Sequence, residues 1–308
     1  MSDEIILHHY FTSPFSEKVR ILLGIKGLAW RSVIQPTIMP KPDLTPLTGG
    51  YRRIPVMQIG ADIFCDSAVI MAEIERRRPA PRVIHGADWA FNLWADRLFF
   101  QPTVGIIFGA IGHTVPPEFI KDREAMSAGR PFDVAAMKAA AEPMKGQFRG
   151  MAFWLERQLE DGPAWVAGDT PGLADIAWYM NFWFFRSALK AEMTALLEDF
   201  PEVSAWRDRV ASLGGGSTRT DMTTAEAIEV AKGANPAPAD HLPHDPKDPM
   251  GLPPGAAVHV VADDYGRDPI AGILVAANPE RIVIAREDPR VGRVNVHFPR
   301  VGFVALPK

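Results

Sequence analysis

The chain has 308 residues, 47% hydrophobic and 23% charged, with a formal net charge of −4; this is the composition of an ordinary globular protein long enough for two or three domains. The slight acidity offers no general attraction to nucleic acid or to an anionic membrane surface. No apolar run approaches the roughly 20 residues that span a bilayer, and MSDEIILHHY lacks a basic segment followed by a long apolar stretch, so a cytoplasmic location is expected.

EIILHHY at 4–10 predicts a strand. SEKVRILLGIKG then spaces Val19, Leu22, Leu23 and Lys26 as one helical face and stops at Gly27. WRSVIQ at 30–35 predicts a second strand, and VMQIG with ADIFC at 56–65 a hairpin turning at Gly60-Ala61-Asp62. The one cysteine, Cys65, excludes an internal disulfide or a four-cysteine zinc site and reads as a small buried hydrophobe. A helix from Ser67 to Arg77 closes the unit, so residues 1–80 run β-α-β, loop, β-β-α. After the proline-punctuated 78–86, apolar residues recur at three- and four-residue spacing, predicting an all-helical domain over 87–216. Within it PPEFIKDREAMSAGRPFD at 116–133 is proline-broken and is expected as a loop or short helices over one end of the bundle, placed to act as a lid. Residues 217–255 are expected as a linker. There His241, His244, Asp245 and Asp248 lack the further ligands of a metal site, and no metal is expected. From 256 to 308, AAVHVVAD, IAGILVAA, RIVIARE, GRVNVHF and VGFVAL predict a small all-β, barrel-like module.

Three segments carry candidate chemistry. In TSPFSEKVR, Pro14 suits the first helical position and puts Ser13 at the N-cap. Its hydroxyl either caps the helix or, with the helix field, lowers the pKa of a thiol beside it. In RRIPV, Pro55 either opens a strand or sits in a cis turn that exposes Ile54 to an extended peptide. In CDSAVI, Asp66 and Ser67 either cap the next helix or hold the charged end of a ligand at its free amides.

In this order and spacing, SPFSEKVR, RRIPV and CDSAVI resemble the N-terminal domain of cytosolic glutathione S-transferases of the serine type, and GDTPGLADIAWY in its helical setting resembles their second domain. The resemblance covers residues 1 to about 215, and the β-rich tail lies outside it. It implies an α/β thioredoxin-like glutathione-binding domain followed by an all-α domain. By the same resemblance Ser13 contacts the glutathione sulfur, Pro55 is a cis-proline, Ile54 pairs with the peptide backbone, and Asp66 with Ser67 clamps the γ-glutamyl end. Asp175 matches an aspartate that serves folding, although Gly172 stands where a serine or threonine would complete a reciprocal capping box.

A serine in place of cysteine favours conjugation over disulfide chemistry. The expected function is therefore a glutathione transferase, with glutathione as co-substrate, a small apolar electrophile as second substrate, no metal, a homodimeric state and a role in detoxification. The alternatives are a non-catalytic glutathione-binding protein presenting its β tail to a partner, and a glutathione-dependent reductase in which Cys65 would have to serve. Tyr10 is a competing thiol donor. Lys41, Arg52 and Arg53 are either solvated charges or candidates for the glycine carboxylate of glutathione, and Trp94, Phe99, Phe100, Phe108, Trp178, Phe182 and Trp183 either pack as core, the commoner place for aromatics at helical spacing, or wall an apolar pocket between the domains.

Overall fold

Pro14, with no N–H to lose, opens a helix that Ser13 caps by accepting from the Ser16 amide at 3.1 Å. The computed structural model that contains it describes residues 4–127, 131–160, 162–238 and 241–308. The first unit runs β1 (Ile5–His9), α1 (Pro14–Ile25), β2 (Trp30–Ile34), α2 (Leu44–Thr48), β3 (Val56–Ile59), β4 (Asp62–Cys65) and α3 (Ser67–Arg77). β1 pairs in parallel with β2 and antiparallel with β3, and β3 pairs antiparallel with β4. This is the thioredoxin-like order expected, with α2 inside the segment read as a loop; five residues are too few to display a helical period. Alternation along the hairpin splits the core, with Met57, Ile59 and Phe64 packing toward the helical domain and Val56, Ile63 and Cys65 toward the opposite face.

The helical domain comprises α4 (Asp88–Trp94), α5 (Phe100–Ile111), α6 (Pro117–Met126), α7 (Val134–Glu160), α8 (Leu173–Ala188), α9 (Lys190–Leu196) and α10 (Pro201–Leu213), with a π-helical turn over Ala95–Phe99 joining α4 to α5. α1 approaches the end of α10 so closely that a Cβ on Gly24 would lie 2.1 Å from the Leu213 carbonyl oxygen, which only glycine permits. Asp175 accepts from the Gly172 and Val166 amides, each at 2.9 Å, and from Trp206 Nε1 at 2.7 Å. Glycine has no side chain to complete the reciprocal box, and the Trp206 indole, by donating to the Asp175 carboxylate, ties α10 to the start of α8.

Beyond the bundle the expected linker is in part ordered structure. β5 (Arg219–Asp221) adds in parallel to β2, and α11 (Thr224–Lys232) starts at a capping box in which Thr223 and Glu226 exchange hydrogen bonds. The signal was present as T-x-x-E ahead of Ala227, Ile228 and Ala231, all of which are buried. Further on, His244 accepts from the Ala277 amide, and Asp248 accepts from the Met250 amide and pairs with Arg300. Those side chains fasten the draped segment to the tail.

The tail is all-β: β6 (Ala257–Ala262), β7 (Ile270–Ala277), β8 (Arg281–Asp288), β9 (Gly292–Pro299) and β10 (Phe303–Pro307). Its ladder runs β10-β6-β7-β8-β9 and continues, through a parallel pairing of β9 with β4, into one ten-stranded sheet. At that seam His297 Nε2 meets Asp62 Oδ1 at 2.8 Å and stacks on Phe64, with ring centroids 4.3 Å apart. Glu73 of α3 binds Arg76, Arg77 and Arg281. Burial raises its pKa, but hydrogen bonds from Arg76 and Arg77 and the charge of Arg281 outweigh this and hold it at about 2. No helix among the described residues is long and apolar enough to cross a membrane.

Two buried histidines lie in β1. His8 bonds to Gln58 and Gln35, His9 to Ser32 and Arg20. Burial lowers their pKa values to about 4 and about 3, with Arg20 adding to the effect at His9. The unfolded chain takes up these protons near pH 6.5 while the folded chain does not, so stability falls as pH drops from about 6.5 toward 4. Each histidine contributes a slope of up to about 1.4 kcal/mol per pH unit. Chemical unfolding at pH 7.5, 6 and 5 should show this loss, and a His8→Gln variant should show a shallower one.

Candidate active site

Ser13 is 1% exposed and lies on the wall of a chamber of about 1,470 Å³ between the first domain and α5, α6 and α7. Its Oγ accepts from Ser16, which leaves the hydroxyl proton to donate. Tyr10 stands beside it. Burial raises the Tyr10 phenol's pKa, while the charge of Arg123 and hydrogen bonding to Ser13 and Arg123 draw it back. Lys41 reaches the same chamber. It is 3% exposed, and its ammonium makes no hydrogen bond or ion pair among the described residues. Burial, against the pull of Asp122, lowers its pKa to about 8. Arg52 is committed instead to Asp122 of α6 at 2.6 Å. Asp122 also accepts from the Met39 amide, and Arg123 donates to the Thr37 carbonyl oxygen, so α6 is docked on the loop that follows β2. Within the segment expected as a loop or short helices over one end of the bundle, residues 117–126 form one short helix roofing the chamber, while 128–130 lie outside the described residues.

A smaller cavity of about 70 Å³ adjoins this chamber, and Phe15, Arg53, Ile54, Asp96, Arg97, Asp264 and Tyr265 border both. Ile54, Pro55, Asp66 and Ser67 line the small cavity, and the Ile54-Pro55 peptide is cis. Asp66 is the one non-glycine among the described residues with φ in the left-handed half, at 98°, and it caps α3 by accepting from the Ala68 amide at 2.9 Å. A branched or bulky residue would be strained in that conformation. Burial raises the Asp66 pKa against the opposing charge of Arg53. The five site residues expected from sequence therefore fall along one wall, with Ser13 at the chamber and the other four at the small cavity.

Residues 7–82 match the profile of the glutathione S-transferase N-terminal domain, and residues 138–209 that of the C-terminal domain. A solved GST-like protein from Pseudomonas syringae is 38% identical, with all of each chain covered and a TM-score of 0.80. The chain belongs to the glutathione S-transferase family. Glutathione S-transferase U7 of Arabidopsis thaliana is 22% identical over 213 residues, 67% of this chain and 82% of that one. A glutathione S-transferase structure from Rhodospirillum rubrum, 19% identical at a TM-score of 0.53, shares the fold over 68% of this chain and 88% of its own. The Pseudomonas match takes in the five-stranded tail; these two cover about two thirds of the chain.

In this glutathione S-transferase relative, the structure divides the seven aromatic residues that sequence reasoning leaves unassigned between cavity wall and core. Trp94, Phe100 and Phe108 do line the chamber, but Phe99 and Phe182 are fully buried core, Trp178 is nearly so, and Trp183 packs against that core. Helical spacing marks an inward face without saying whether a cavity or another helix lies inside it. Sequence reasoning also misses Lys18, whose buried ammonium donates to Asn92 at 2.6 Å and Asp96 at 2.7 Å. Burial raises the Asp96 pKa, against the attraction of Lys18. Because Asp96 sits in the π-helical turn and borders both cavities, this buried pair fixes the helical side of the site. Lys18→Met should cost about 3 kcal/mol or more in chemical unfolding by stranding Asp96, and adding Asp96→Leu should recover part of that loss.

Proposed function

We propose that the chain binds glutathione across both cavities and stabilises its thiolate at Ser13 for transfer to an apolar electrophile in the chamber. The observation that carries this reading is the placement of Ser13, Ile54, Asp66 and Ser67 along one wall where two cavities meet. The γ-glutamyl end would lie at the start of α3, the peptide backbone along Ile54 and the sulfur beside Ser13. The unpartnered Lys41 ammonium would meet the glycine carboxylate. Ser13 then donates to the thiolate within the field of the α1 N-terminus, which favours the charged sulfur and raises the fraction of nucleophile at neutral pH. The electrophile would occupy the Phe- and Met-rich remainder of the chamber, whose size exceeds that of common small-molecule pockets of roughly 300–1,000 Å³. This size extends the acceptable substrates beyond small ones.

Cys65 gives no support to a reductase reading. It is wholly buried on the face of β4 away from the helical domain, and burial, with the nearby charge of Asp66, pushes its pKa well up. A thiol in that state is a poor nucleophile.

Steady-state conjugation of glutathione to a panel of aryl halides, enals and epoxides tests the reading. Ser13→Ala should lower kcat/KM about 100-fold while S-methylglutathione still binds; an unchanged rate would remove Ser13 from the chemistry, with Tyr10→Phe the next variant to assay. In calorimetric titrations S-methylglutathione should bind more weakly as pH rises through about 8, where Lys41 loses its proton. A Lys41→Met variant should bind more weakly at pH 7 and lose most of that dependence.

A further inference from the structure

We propose that Asp264, carried by the loop between β6 and β7 of the tail, is a ligand-binding residue of the small cavity, receiving with Asp66 the ammonium of an amino-acid-type end group. The proposal rests on the glutathione reading of the site and deepens it by drawing one binding residue from outside the two domains that define the family.

The cavity wall is built from three parts of the chain: Asp66 and Ser67 at the start of α3, Asp96 and Arg97 in the π-helical turn, and Asp264 with Tyr265 in the tail. Arg53 holds the tail's contribution in place. Its guanidinium pairs with Asp264, lies 4.0 Å from Asp66 Oδ2, and packs over the Tyr265 ring with Cζ 4.0 Å from the centroid. Gly266, at φ +58°, lets the loop pass close to this arginine, since a Cβ there would lie 3.0 Å from Arg53 Nε.

Exposure decides which charge faces a ligand. The Arg53 side chain is 9% exposed, whereas Asp66 and Asp264 keep 23% and 27%. The accessible charge is thus carboxylate, and the cation lies enclosed behind it. Asp96 is neutralised by Lys18, and Arg97 pairs with Asp263 at 2.5 Å, outside the cavity lining. What remains is two carboxylates against one enclosed guanidinium, an excess of accessible negative charge that draws the ammonium of an arriving end group. A second observation is that these contacts do not saturate Arg53, whose buried Nε has no hydrogen-bond partner among the described residues. The carboxylate of the same end group falls to the Ser67 hydroxyl and the remaining amides opening α3. The cavity, about 70 Å³, has room for a compact end group of that kind.

Calorimetric titration of the full chain with S-methylglutathione, and with the same peptide acetylated on its α-amino group, separates the outcomes. The unsubstituted chain should prefer the free amine by about tenfold or more. Asp264→Asn should weaken binding of the free amine about tenfold and leave the acetylated peptide nearly unchanged, so that the preference collapses. Asp264→Ser, with thermal unfolding recorded for both variants, guards against a folding defect in either one. Equal weakening of both peptides, unaltered binding, or tighter binding on loss of Asp264 each overturns the proposal; the last would make the loop a plug on Arg53. If the unsubstituted chain binds neither peptide, the glutathione reading itself falls, and the proposal with it.

Discussion

The parallel pairing of β9 with β4 is the constraint on which the rest of this molecule depends. Without it β4 would be an open edge, with a row of free amides and carbonyls and the apolar side chains of Ile63 and Cys65 on one face. With it, the hairpin becomes the interior of a ten-stranded sheet, and the core under β3 and β4 continues beneath β6 to β10. The pairing is made specific by side chains that apolar burial alone would not require: Asp62 with His297, and Glu73 with Arg281. A misregistered tail would leave these polar groups buried and unpaired, which costs more than the correct contacts gain.

Once β9 is fixed, the β6–β7 loop has little choice of position. It arrives above Arg53, and its Gly266 amide donates to the Met126 carbonyl oxygen at the end of α6. Tail and helical roof are latched to each other over the same cavities, while the buried Lys18–Asp96 pair secures the wall beneath. The site is therefore a junction of all three parts of the chain rather than a cleft between two.

The first two domains were legible because each of their signals is local. Pro14 after Ser13, the Gly60-Ala61-Asp62 turn and the apolar run after Ser67 declare elements within a dozen residues, and the structure places those elements where the spacing indicates. The tail's strands were legible for the same reason. What escaped was every relation between distant segments. Nothing in GRVNVHF says that it pairs with ADIFC some 230 residues earlier in the chain, since strand alternation specifies a face and not a neighbour. DDYGRDP reads as a turn and gives no sign of lying over Arg53. Nothing in SEKVRILLGIKG marks the Lys18 ammonium as buried against Asn92 and Asp96, residues more than 70 positions away. The capping box ahead of α11 was local and was overlooked amid the polar, proline-rich residues that follow it.

The small cavity is closed by residues at 264–265 and 301–303 acting on a frame laid down by residues 51–68. During synthesis the thioredoxin-like and helical parts emerge with their own cores well before those closing segments exist, and contacts of such long sequence separation form late in folding. Wall and roof thus mature at different times. A chain arrested within the tail would carry Ser13 and its helix intact yet leave the cavity at the start of α3 unwalled on one side, so that closure of this cavity reports synthesis of the tail.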